Sequence, residues 1–280
     1  MRSLSLRRTA GAVATAVALV GATVSPATAA PSTVGVVNLG DSYSAAIGTG
    51  GISALPLPGP CLQGQGPDHV DKLDAGPRFD VRLDAACSGA TTTQIRALAG
   101  LPAVGAALAG ADLVTLTLGG NDLGWTQIVL QCSALGHPAL CDTLLAQAPT
   151  AIDAAARSAG QTVATIDEAT DGTILVFGYP RLFDAQEDSA LMPAARAAQL
   201  NALTDQLNAA LRSAVEAEGA VFVDVAQRFQ GHGLGSADPW IHFDPADPFD
   251  PNSLHPTSRG YLSGYFPALM SGVSPGRLAR

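Results

Sequence analysis

The sequence predicts an α/β fold organised around a parallel sheet, and three observations carry that expectation. Short, continuous Val/Ile/Leu runs bounded by Gly and Asp recur along the chain, as in strands buried on both faces. Segments with apolar residues at helical spacing lie between them. The two patterns alternate, which places helices between neighbouring strands and makes an α/β sandwich.

In order, strands are expected at 34–39, 79–85, 113–118, 173–178 and 220–225, giving a five-stranded sheet. One helix face is marked by Ile152, Ala156, Ala159, Val163 and Ile166, another by Leu200, Leu203, Leu207, Leu211 and Val215. There is no internal repeat and no linker, so 30–280 reads as a single domain, a length that buries a full core.

Residues 1–29 read as a signal peptide, with cleavage after 29 or 30. Arg2, Arg7 and Arg8 precede an uncharged Ala/Val-rich run, and the small residues Ala27, Thr28, Ala29 and Ala30 follow Pro26. The run from Thr9 to Ser25 is short and poor in Leu, unlike a membrane span. The Arg7-Arg8 pair leaves the export route open between the general and twin-arginine pathways. The expected location is therefore extracellular. Removing three arginines and no acid takes the formal charge from −9 to −12. Such a surface excludes broad nucleic-acid binding, and 47% hydrophobic residues exclude a disordered chain.

Export also decides how the cysteines are read. Cys61, Cys87, Cys132 and Cys141 lack metal-ligand spacing, and an oxidising compartment favours disulfides. Of the three pairings, Cys61–Cys87 with Cys132–Cys141 closes the shortest loops.

Ligands of parallel sheets bind beyond the carboxyl ends of the strands. Gly40-Asp41-Ser42-Tyr43 follows the first strand there, Cys87-Ser88-Gly89 the second and Gly119-Gly120-Asn121-Asp122 the third. Ser253-Leu254-His255-Pro256 comes after the fifth. A serine becomes a nucleophile when a neighbouring base takes its proton, and histidine is suited to that task. Ser42 and His255 are thus the candidate catalytic pair. The Ser42 and Gly89 backbone N–H groups and the Asn121 side-chain amide are the candidate oxyanion donors.

These four blocks, in this order, resemble those of the SGNH (GDSL) hydrolases, and the Cys87/Gly89 spacing resembles secreted actinobacterial lipases and esterases of that family. The resemblance implies a flavodoxin-like three-layer α/β/α sandwich and ester hydrolysis through a serine acyl-enzyme. It implies no metal or organic cofactor. The expected partner is a lipid or other ester substrate, met by a monomer in at most transient contact with lipid interfaces. A carbohydrate O-acyl (acetyl) esterase is the alternative activity. A non-catalytic lipid- or glycan-binding protein is the alternative of another class.

One position departs from the family pattern. An aspartate commonly lies three residues before the histidine, and Asn252 stands there. The favoured orienter of His255 is the Ser253 backbone carbonyl, with Asp244, Asp247, Asp250 or Asn252 itself as alternatives. The Asp-Pro pairs at 244, 247 and 250 predict a rigid loop whose carboxylates also suit calcium, without EF-hand spacing. Gly272-Val273-Ser274-Pro275-Gly276 has the elbow pattern but no room for a following helix. Asp41 reads as an acceptor for turn amides, and His69, His137, His232 and His242 as solvated surface residues. Seven of the fourteen aromatic residues lie between Phe229 and Phe266. Trp240, Phe243 and Phe249 among them are expected to wall an acyl cleft.

Overall fold

The structure is a computed structural model that describes residues 33–57, 59–189 and 191–273. The proposed signal peptide and most of the Gly272–Gly276 motif lie outside the described residues.

The chain runs through β1 (Val34–Gly40), a two-stranded hairpin of β2 (Ile52–Ala54) and β3 (Leu62–Gly64), α1 (His69–Asp74) and β4 (Phe79–Asp84). Next come α2 (Thr92–Ala99), α3 (Pro102–Ala109), β5 (Leu113–Thr117), α4 (Trp125–Cys132) and α5 (Pro138–Asp167). It continues through β6 (Thr173–Phe177), α6 (Ala194–Ala217) and β7 (Val221–Val223). The described chain finishes in a helical stretch made of Ser258–Gly260, a π turn over Tyr261–Tyr265, and Phe266–Gly272.

All five expected strands form, and they pair in parallel in the order β4-β1-β5-β6-β7. The short β2–β3 hairpin, too polar to read as core strand, is an addition to the expected elements. Counting only the sheet strands, the order is that of a flavodoxin-like sheet, whose switch point falls between its first and third strands. Here that point lies between β1 and β5. The chain steps one way from β1 to β4 and the other way through β5, β6 and β7. Right-handed crossovers therefore put α1 on one face and α2 to α6 on the other. The packing agrees: α5 lies against α2, α4 and α6, and α1 against β4 and the C-terminal helical stretch.

Burial explains the strand sequences. Val36, Val37 and Leu39 of β1, Leu113, Val114 and Leu116 of β5, and Leu175, Val176 and Phe177 of β6 are fully buried. A strand covered on both faces has no side that tolerates polar residues. Asn38 and Thr115 break the apolar runs by satisfying each other. The Thr115 hydroxyl donates to Asn38 Oδ1 at 2.9 Å, and Asn38 Nδ2 donates to Asp84 Oδ1 at 3.0 Å. Burial pushes the Asp84 carboxyl up to about 7 despite these donors.

The cysteines pair as Cys61–Cys87 and Cys132–Cys141. The second bridge ties the end of α4 to the first turn of α5, closing a separation of nine residues. The double variant Cys132→Ser/Cys141→Ser is expected to lose about 2.5 kcal/mol, chiefly because the unfolded chain gains freedom. A urea titration should show the unfolding free energy extrapolated to water falling by that amount, with the slope unchanged and the midpoint lower.

Candidate active site

The site is built at the carboxyl edge of the sheet, on both sides of the switch point. β1 ends at Gly40, whose φ of +118° turns the chain sharply. A side chain there would strike Thr117 O at 2.6 Å, so only glycine fits this close approach to β5. The turn is fixed by Asp41, which accepts from the Tyr43 N–H at 3.0 Å and the Thr117 hydroxyl at 2.6 Å through Oδ1. Its Oδ2 accepts the Tyr179 hydroxyl at 2.5 Å. Burial raises the Asp41 pKa while these donors oppose the shift. Asp41 is the turn acceptor expected from sequence, with a wider set of partners than turn amides alone.

That turn presents Ser42. Its Oγ lies 2.8 Å from His255 Nε2, across a sequence separation of 213 residues. On the far side of the ring, His255 Nδ1 is 2.9 Å from the Ser253 carbonyl oxygen. A carbonyl only accepts, so Nδ1 carries the proton and Nε2 is left with a lone pair aimed at the serine hydroxyl. Burial holds the His255 pKa down to about 4, against the opposing effect of the Ser253 and Asn252 backbone contacts. The imidazole is therefore neutral at neutral pH.

The alternatives for the orienter are placed elsewhere. Asn252 Oδ1 accepts the Gly48 N–H at 3.0 Å, and its Nδ2 donates to Asp250 Oδ1 at 3.0 Å. Asp250 in turn faces His242 Nε2 at 3.3 Å. Asp244 and Asp247 shape successive turns, accepting from the Asp247 and Asp250 N–H groups through their backbone carbonyls. The Asn252 side chain thus fastens the histidine loop to the segment after Ser42 and makes no hydrogen bond to the ring. Tyr43 makes the second fastening, donating its hydroxyl to Leu254 O at 2.7 Å. Gly48 completes the seam: a Cβ there would lie 2.3 Å from Pro256 O and 2.9 Å from His255 Cβ.

Asn121 shares the cleft lining with Ser42, and Gly89 sits in the turn after β4, the strand paired with β1. Gly89 has φ +77°, and a Cβ on it would meet nothing within 4 Å. The backbone conformation selects glycine there while the space beside it stays open. Its turn is pinned by Cys87 N–H to Gly40 O at 2.9 Å and by Ser88 N–H to Leu62 O at 3.0 Å. Neither the Ser42 nor the Gly89 N–H donates to an acceptor among the described residues. Asn121 Nδ2 spends one hydrogen on Ala90 O at 3.0 Å and keeps the second. Its loop is locked by Asp122, which accepts from the Thr92 N–H at 2.9 Å and the Thr92 hydroxyl at 2.5 Å. The Tyr179 hydroxyl also accepts the Gly120 N–H at 3.1 Å, so one phenol bridges the serine turn and the asparagine loop.

The structure corrects two expectations. Trp240, Phe243 and Phe249 line neither the cleft at Ser42 nor the groove at Gly89. Trp240 is buried, stacked on His232 at 3.7 Å and edge-on to Phe229, and Phe249 is 73% exposed. The segment around Trp240 supports the histidine loop through its backbone. His242 N–H donates to His255 O at 2.7 Å, and Thr257 N–H to Trp240 O at 2.8 Å. The apolar wall beside Ser42 is instead Trp125, Leu182, Leu207 and Leu254, around a cleft of about 40 Å³. His69 is the second correction. It is wholly buried, stacked on Tyr261 at 5.5 Å, and burial holds it down to about 3. A loop-like sequence hid it because its partners lie at the far end of the chain. His232 and His242 are half-buried as well, whereas His137 is exposed. Among the described residues no group of three or more His, Cys, Asp or Glu is placed to hold a metal ion.

A serine–imidazole contact at the edge of a flavodoxin-like sheet, with unengaged N–H groups beside it, is the arrangement of a carboxylic ester hydrolase. Residues 39–262 match the model of the GDSL-like lipase/acylhydrolase family. The chain belongs to that family. It is 34% identical over 262 residues to a lipase of Streptomyces rimosus, covering 91% of this chain and 93% of that one. To lipase 1 of Streptomyces coelicolor it is 31% identical over 261 residues, with 92% and 93% covered. The crystal structure of the extracellular S. rimosus lipase superposes with a TM-score of 0.75 at 30% identity, over 86% of this chain and all of that one. That of phospholipase A1 from Streptomyces albidoflavus does so with the same score at 27% identity and the same coverage. An acetylxylan esterase of Geobacillus stearothermophilus, 16% identical with a TM-score of 0.52 over 87% of this chain and 96% of that one, shares the fold.

Proposed function

We propose that this protein is a secreted hydrolase of lipid-type esters, a lipase or phospholipase A, that works through a Ser42 acyl-enzyme. The observation that carries the reading is the 2.8 Å contact between His255 Nε2 and Ser42 Oγ, with Nδ1 already committed to Ser253 O. Ser42 Oγ attacks the ester carbonyl carbon as its proton passes to Nε2. The resulting oxyanion is received by the Ser42 and Gly89 N–H groups and the free hydrogen of Asn121 Nδ2. The imidazolium returns its proton to the departing alkoxide oxygen, leaving the acyl group on Ser42. Water then repeats the sequence in reverse, with His255 taking its proton. Every proton in the cycle is held by Ser42, His255, water or the leaving alcohol, so the scheme calls for no cofactor.

The lipid assignment is supported by the names of the relatives at about 30% identity and by the apolar residues around the serine. Secretion is supported by the signal-like residues 1–29, the two disulfides and the extracellular S. rimosus relative. A fluorophosphonate probe tests the mechanism and should label Ser42 alone. A panel of p-nitrophenyl esters, triglyceride and phosphatidylcholine tests the substrate class. Cleavage of acetylated xylan with no activity on the lipids would overturn the lipid reading.

The pH dependence follows from the histidine. The base is active when neutral, and its protonation is held down to about 4 in place of the ordinary 6.5. Activity is lost as pH falls through the folded value, so kcat/KM should stay level from pH 7 to about 5 and halve near 4. An acid limb centred at 6.5 would show that His255 is not desolvated as described.

A further inference from the structure

We propose that the acyl chain of the ester lies in the groove between the segment before β3 and helix α2, on the Gly89 side of Ser42. The inference rests on the hydrolase reading above and adds to it the place and kind of the acyl group: an unbranched alkyl chain of medium length. Three observations point there.

The first is size. The cleft at His255, walled by Trp125, Leu182 and Leu207, has about 40 Å³, far narrower than the groove beyond Gly89. The groove beyond Gly89 has about 380 Å³, within the roughly 300–1,000 Å³ typical of small-ligand sites.

The second is chemistry. The groove is lined by Pro60, the Cys61–Cys87 disulfide, Ala97, Leu98 and Leu101, with Gln94 its long polar side chain. Among the described residues no charged side chain lines it. Such a surface gains from burying methylenes, about 0.8 kcal/mol each, and offers little to a sugar.

The third is direction. The leaving alkoxide oxygen must lie within reach of His255 Nε2, the only general acid in the mechanism. His255 lines the small cleft and is absent from the groove. Once the carbonyl oxygen sits on the Gly89 N–H, the alcohol part points toward His255. The acyl part then continues past Gly89, where no Cβ stands and nothing lies within 4 Å. The open space beside that glycine is the groove's mouth.

The test is to fill the groove from a position that packs on nothing essential. Ala97 is exposed on α2, and Ala97→Trp projects an indole into the groove. The expected result is at least a tenfold fall in kcat/KM for p-nitrophenyl decanoate, with the acetate ester changed less than twofold. An unchanged decanoate-to-acetate ratio overturns the assignment. So does a ratio moved by Trp125→Ala and not by Ala97→Trp, which would place the chain in the small cleft. Should Ala97→Trp lose both activities, Leu101→Gln decides by the same ratio, which must fall. Acetate hydrolysis through a labelled Ser42 with an unmoved ratio defeats the groove and leaves the hydrolase standing. No hydrolysis of any ester by the wild type defeats both.

Discussion

Ser42→Ala lowers kcat on p-nitrophenyl esters by about 10⁴- to 10⁶-fold, and His255→Ala does the same, with the double variant no worse than either. The two side chains act as one unit, joined by a single 2.8 Å contact, so removing one already abolishes what the other contributes. The residual rate reflects binding and the oxyanion donors alone. Ser42 is 7% exposed and its loss leaves only a small void, so the circular dichroism spectrum and melting temperature stay near those of the wild type. Steady-state kinetics on the three variants checks the result. Activity in Ser42→Ala equal to wild type would falsify the mechanism.

The second large effect is at Asn121. Asn121→Ala lowers kcat by about 10²–10³ with KM little changed, because the lost donor meets charge that exists only in the transition state. The change also leaves the Ala90 carbonyl without its partner, so a structural collapse has to be distinguished from lost catalysis. The loop has independent anchors for this purpose. Asp122 holds Thr92, and Gly120 N–H remains on the Tyr179 hydroxyl. An unaltered melting temperature alongside the fall in kcat supports the donor role. A rise in KM with kcat unchanged would instead assign Asn121 to substrate binding.

The placements legible in the sequence are those that follow from a strand end. Ser42 and Asn121 each sit just past a buried apolar run and Gly89 past the half-buried edge strand β4, and a parallel sheet brings such ends together whatever the loops do. His255 was legible through its motif. The Ser253 carbonyl was legible because Asn252 left the usual acid position empty and a main-chain acceptor was the nearest substitute. What escaped were partnerships decided by the tertiary fold. Tyr179 follows β6 with no motif, yet its hydroxyl joins two loops from other strands. His69 looked exposed because nothing local announces that Tyr261 and Tyr265 will close over it. The nearness of Trp240 in sequence to His255 points to the cleft. Its backbone does serve the histidine loop, but its ring turns inward onto His232 and Phe229. Clustering in sequence located the right segment and said nothing about which way its side chains face.

The Ser253 carbonyl behind the imidazole has a consequence for how this site can change. A carboxylate in that place can be deleted by one codon change and neutralised by acid. A peptide oxygen is present whatever residue occupies position 253 and has no proton to gain in the working pH range. The support of His255 is thus silent to side-chain replacement and yields only to a change in backbone path. The path itself depends on Leu254, a non-glycine residue held at φ +67°, and on the Tyr43 hydroxyl bound to its carbonyl. Inheritance of the orienter therefore runs through the shape of the loop, and a search for a conserved acid would pass over it.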